Sequence, residues 1–69
     1  MSEIIFLIEE SAEGGYSARA MEHSIFTDAD SIEDIKKNIK DAVKCHFADD
    51  DLPKLVRMHF VKDEVFALS

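Results

Sequence analysis

Four side chains in this 69-residue sequence could ligate a metal or serve as nucleophile and base: His23, Cys45, His46 and His59, with Asp49, Asp50 and Asp51 close behind. A tetrahedral zinc centre needs three or four such groups converging at about 2.0–2.3 Å. No pair stands at C-x-x-C or H-x-x-x-H spacing. Cys45 and His46 are adjacent on what reads as a helix, so their side chains diverge by about 100°. They read instead as a small buried thiol, a helix-end imidazole and two sheet or surface histidines, and no metal is expected. Gly14 and Gly15 lack the Lys-Ser/Thr pair of a phosphate loop and lead into a strand, so they read as a turn. Glu9, Glu10 and Glu13 fall in a polar loop, while Asp28, Asp30, Glu33 and Asp34 crowd a helix start. Neither set lies on an apolar face that would lift a carboxyl pKa into a working range. Ser24 beside His23 is a dipeptide without a third member. No catalytic residue and no cofactor is expected.

The elements that would carry these residues follow from hydrophobic spacing. Ile4, Ile5, Phe6, Leu7 and Ile8 form a short apolar run that reads as a central strand covered on both faces. A charged stretch ending in Gly14 and Gly15 then suits a hairpin connection. After it Tyr16, Ala18 and Ala20 alternate with Ser17, Arg19 and Met21. Ile25, Phe26 and Thr27 read as a short third strand, with Glu22, His23 and Ser24 as the turn before it. Asp30 and Ser31 are both good helix N-caps, each with an acid three residues on. Ile32, Ile35, Ile39, Ala42, Val43 and then His46 or Phe47 recur at helical spacing as one apolar stripe. Lys36, Lys37, Lys40 and Lys44 follow the acidic first turn, as the helix dipole favours. The Asp run and Pro53 end the helix. A last strand spans residues 54–61, with Val56, Met58 and Phe60 on one face and Leu55, Arg57, His59 and Val61 on the other. Lys62, Asp63 and Glu64 interrupt it; the tail Val65, Phe66, Ala67 and Leu68 can continue the strand, turn back, or pair with another chain.

The predicted architecture is α+β in the order β-β-β-α-β, a small antiparallel sheet with one helix on one face, in a single domain over residues 1–69. The core is expected to hold Ile4, Phe6, Ile8, Ile35, Ile39, Val43, Val56, Met58 and Phe60. A chain this short buries only about 60% of its unfolded surface, which leaves no room for a self-contained cofactor enzyme. One helix covers one sheet face, so the other stays wet or meets a partner. Tyr16, Arg19, Arg57 and His59 are the candidate partner-binding residues on that face.

Eight Lys and Arg against fifteen Asp and Glu give a formal charge of −7, with 46% hydrophobic and 33% charged residues. Such acidity disfavours direct nucleic-acid binding and suits a basic protein partner. The single Cys45 forms no internal disulfide, the start lacks a basic leader, and no apolar run is long enough to span a bilayer. The expected address is the cytosol, with no membrane contact.

The apolar first strand, then Gly14-Gly15-Tyr16-Ser17-Ala18, then the helix segment from Asp28 and Asp30-Ser31-Ile32-Glu33 through Asn38-Ile39 to Ala42-Val43, resembles the HicB-like antitoxin family. Asn38 stands where that family has its helix asparagine. The resemblance implies a pared-down RNase H-like fold. It also implies the role of binding and silencing a HicA-type toxin, a small basic messenger-RNA-cleaving protein, by covering its active surface. Many such proteins append a DNA-binding segment, for which this chain has no residues after Ser69, so DNA contact is not expected. The family's P-D-x-P-G-C-type loop is replaced here by Met21, Glu22, His23, Ser24, Ile25 and Phe26. The alternatives are an orphan homo-oligomer (dimer or tetramer) without a toxin, and an accessory subunit of a larger enzyme.

Overall fold

The computed structural model describes residues 3–62 and 65–69. Strand β1, Glu3–Glu10, runs through the middle of a four-stranded sheet of order β3-β2-β1-β4. β2, Tyr16–Ala20, and β3, Phe26–Ala29, follow as antiparallel neighbours. Helix α1, Ile32–His46, and a single 3₁₀ turn, Asp49–Asp51, lead to β4, Leu55–Val61.

The first loop closes because Gly14 and Gly15 both take positive φ, 96° and 88°, a region that side chains with a Cβ resist. The Ser11 N–H donates to the Gly15 carbonyl at 3.0 Å and the Gly14 N–H to the Ser11 carbonyl at 3.1 Å. Gly15 also passes close to the start of the helix segment, where an added Cβ would meet the Ala29 carbonyl oxygen at 3.1 Å.

Of the two candidate caps, Ser31 is used: its hydroxyl accepts from the Asp34 N–H at 3.1 Å, with Ser31 itself extended. Ile35, Ile39 and Val43 are buried, with Ile32, Ala42 and Phe47 packed beside them. The stripe therefore ends on Phe47, and His46 is exposed. Cys45 is exposed too, against the expectation of a buried thiol. It sits two residues past Val43, about 200° round the helix from the buried stripe.

Alternation along β1 puts Ile4, Phe6 and Ile8 under the helix, where they join Ala18, Ala20 and Ile25 in the core. The small Ala18 and Ala20 let α1 approach the sheet. Ile5 and Leu7, on the other face, are half-buried among their neighbours. Cover on both faces of β1, as its unbroken apolar run suggested, is not found.

Two further expectations are corrected. The sheet is mixed, because β4 runs parallel to β1, with Phe6 opposite Met58 and Ile8 opposite Phe60. A strand-helix-strand passage returns the chain in its original direction, and β3 already lies parallel to β1. The core also stops short of β4: Val56 is 40% exposed and Phe60 55%, while Met58 is half-buried. Four strands spaced about 4.8 Å apart make a sheet wider than one helix of about 10–12 Å. The helix approaches β3 and β2 most closely and still buries Ile4, Phe6 and Ile8 of β1, so β4 alone is left bare on the face the helix covers elsewhere.

Candidate partner-binding surface

The register of the four strands lines up side chains on the face opposite α1. Phe26, Arg19, Leu7 and His59 form one row across β3, β2, β1 and β4. The next row holds Ile5 and Arg57, and the one after it Glu3 and Leu55. Phe26, Met21 and Leu55 are largely exposed apolar groups around this patch. At strand spacing, Arg19 and His59 stand about 10 Å apart with Leu7 between them. Three of the four predicted contact residues, Arg19, Arg57 and His59, thus share one surface. Tyr16 does not. It lies in the same alternating set as Ala18 and Ala20, half-buried against the core under the helix, because β2 turns that set toward α1.

Arg57 and Glu3 grip each other across β4 and β1: Arg57 Nε donates to Glu3 Oε1 at 3.0 Å and its terminal nitrogen to Oε2 at 3.1 Å. This two-pronged bond to Arg57, with the guanidinium charge adding to it, holds the Glu3 carboxyl below its ordinary value near 4.5. The same contact pushes Arg57 upward. The pair fixes a planar donor group over the sheet, the type of group enriched at protein interfaces.

His23 and His46, far apart in sequence, meet at the far end of the helix. Their rings lie edge to face at 5.6 Å between centroids, and Phe47 completes the cluster at 5.0 and 4.9 Å. Aromatic packing of this kind contributes about 0.5–1.5 kcal/mol per pair beyond the area buried. Spacing along the chain gave no sign of it, since it depends on how the turn before β3 folds onto the helix end. Among the described residues no three His, Cys, Asp or Glu converge on one point. The acids Glu9, Glu10, Asp28 and Asp30 ring an open depression of about 500 Å³ beside Gly14 and Gly15, giving the sheet a negative end.

Asn38, a residue without a role in hydrophobic spacing, ties the helix to an edge strand: its amide donates to the Asp28 carbonyl at 2.9 Å. Asn38 is already singled out in the sequence, where it stands next to the inward position Ile39.

Fold and surface together define a small α+β protein whose sheet is half covered, with a mixed apolar and guanidinium face left open. The chain belongs to the UPF0150 protein family. It is 48% identical over 66 residues to a UPF0150 protein of Thermotoga maritima, spanning 96% of this chain and 93% of that one. With a UPF0150 protein of Archaeoglobus fulgidus it shares 56% identity over 52 residues, 75% of this chain and 77% of the relative. No family model matches the chain, and no solved structure does. No helix among the described residues is long and apolar enough to cross a membrane.

Proposed function

We propose that this chain is a protein-binding module of the HicB-like antitoxin type, which neutralises a small basic HicA-type messenger-RNA-cleaving toxin by covering its active surface. It performs no reaction of its own and acts in the cytosol. The observation that carries this reading is the uncovered sheet face, where Phe26, Leu7, Ile5 and Leu55 lie exposed or half-buried among Arg19, Arg57 and His59. Apolar groups mixed with arginine and framed by charge are what a protein contact uses. The acidic end of the sheet and the net charge of −7 speed and orient encounter with a basic partner.

The test is affinity purification of the tagged full chain from its native cell, followed by an RNA-cleavage assay with any small basic protein recovered. Near-stoichiometric recovery and inhibition are expected. Replacing the exposed Phe26 and Arg19 together, F26A with R19E, should weaken inhibition at least about tenfold, the loss of one good contact. A chain that retains no such protein and inhibits no HicA-type ribonuclease sinks the proposal, and bait recovered alone at a multiple of its mass favours the orphan homo-oligomer.

A further inference from the structure

The tail after β4 is the least explained part of the molecule. Val65 is 93% exposed, Phe66 82% and Leu68 99%, so three large apolar side chains touch almost nothing. The molecule measures 56 × 20 × 17 Å, whereas an eight-residue strand at about 3.3 Å per residue is only about 26 Å long. Beyond the Val61 end of β4, Val65 lies near the β1–β2 loop.

At the opposite end of β4 lies an open groove of about 530 Å³ between that strand and α1. Ile39, Val43, Val56 and Met58 form its apolar lining, and Lys36, Lys40, Lys44 and Lys54 stand round its rim. Among the described residues the sole ion pair is that of Arg57 with Glu3, so none of these lysines is in an ion pair with a described acid. β4 is also an edge strand, open to strand addition along its outer side.

We propose that residues 65–68 of one copy add to the β4 edge of a second copy and set Phe66 and Leu68 into its groove between α1 and β4, reciprocally about a two-fold axis. Phe66 and Leu68 share one face by strand alternation. The acids Asp63 and Glu64, which precede the tail in sequence, match the lysine rim. Within one chain Val65 lies at the far end of β4 from the groove; between two copies running antiparallel, each tail lies along the other's β4. Such a contact covers Phe60 and Phe66 of both copies, and four phenyl rings at about 150–250 Å² each supply roughly half of a standard interface of about 1,200–2,000 Å². The site uses the helix side of β4, so it stands apart from the open face proposed to meet a toxin, and either proposal can fail alone.

Sedimentation of the full chain at high micromolar concentration, well above 1 µM, should give twice 7.8 kDa. F66D with L68D, both at exposed positions, should weaken self-association roughly 100-fold, as loss of a central apolar anchor does, with the circular dichroism spectrum unchanged. Mixing two single-thiol chains, K40C/C45S and L68C/C45S, should give a disulfide between chains. A monomeric wild type overturns the proposal. So does a dimer that survives F66D/L68D, a dimer dissolved by F26D on the open face instead, or a K40C/L68C/C45S chain whose disulfide forms within one molecule.

Discussion

The placement of α1 over β3 and β2 makes a sharp forecast for two residues that alternation puts on the same side of the molecule. Ile39 is 1% exposed on the helix, and Val56 is 40% exposed on β4. Ile39→Ala removes three buried carbons at about 0.8 kcal/mol each, plus the cost of the space they leave. That space adjoins the groove beside β4, where neighbours and water can relax into it. The total should fall toward the lower half of the usual range, about 2.5–3.5 kcal/mol. Val56→Ala removes two carbons already partly in water, and should cost about 1 kcal/mol or less. A domain of this size holds only about 3–10 kcal/mol altogether. In thermal unfolding followed by circular dichroism, about 4–8 °C per kcal/mol makes the first variant melt at least about 10 °C lower and the second within about 8 °C of wild type. The scan is run near 1 µM, below the self-association proposed above, because a partner that binds only the folded state adds concentration-dependent stability. At higher concentration the Val56→Ala deficit should widen more than that of Ile39→Ala, because Val56 exposes 40% of its surface and Ile39 only 1%. Equal losses for the two variants at low concentration would refute the helix placement, since they would require α1 to cover β4.

Two further outcomes test other joints of the fold. Gly15→Ala should destabilise by about 1–3 kcal/mol, the cost of holding a non-glycine residue at positive φ, and more than Gly14→Ala, whose added methyl meets nothing within 4 Å; urea midpoints of the two variants decide it. For Glu3, whose carboxyl is held below its ordinary value near 4.5, the ion pair stabilises above that value and is lost as pH falls through the lower folded value. Glu3→Gln should therefore unfold at lower urea than wild type at pH 7, more so at low salt, and the two should coincide near pH 2. A gap that persists in acid would mean that the Glu3 charge is not what the pair contributes.

Much of this fold was legible in the residue pattern, and the misses share a cause. Alternation places Ile4, Phe6 and Ile8 on one face and groups Val56, Met58 and Phe60 together, and the register in β1 and β4 agrees. The helix stripe over Ile35, Ile39 and Val43 is likewise plain, since one buried face must recur every 3.6 residues. Alternation says which side chains share a face; it does not say whether the opposing layer extends that far. That is why Val56 and Phe60 read as core and are not. Tyr16 is the converse case. Its spacing from Ala18 and Ala20 already assigns it to the helix side, and two alanines in a strand are a sign of a close-packed neighbour. The parallel pairing of β4 was also implicit, because a helix between two strands turns the chain through two reversals. Of the candidate surface, Arg19, Arg57 and His59 follow from strand alternation, whereas the cluster of His23, His46 and Phe47 depends on tertiary packing that no local spacing encodes.

The bare flank of β4 and the exposed tail are best understood as one problem of surface and volume. Among the described residues a single α-helix lies against a sheet wider than itself. With β1, β2 and β3 beneath it, an apolar edge is left over at β4. Natural sheets blunt such an edge with charge, proline or a covering segment. Here the helix side of the edge carries Val56, Met58 and Phe60 instead, and the chain goes on to hold Val65, Phe66 and Leu68 in water. Two exposed apolar surfaces in one small acidic chain, one rimmed by lysines and the other preceded by acids, complement each other in both hydrophobicity and charge. Covering them by the proposed exchange between copies would complete the missing layer over β4 and leave the Arg19, Leu7 and His59 row on the far side free. A dimer built this way would present two such rows, one on each copy, and would engage two partner molecules for each pair of chains.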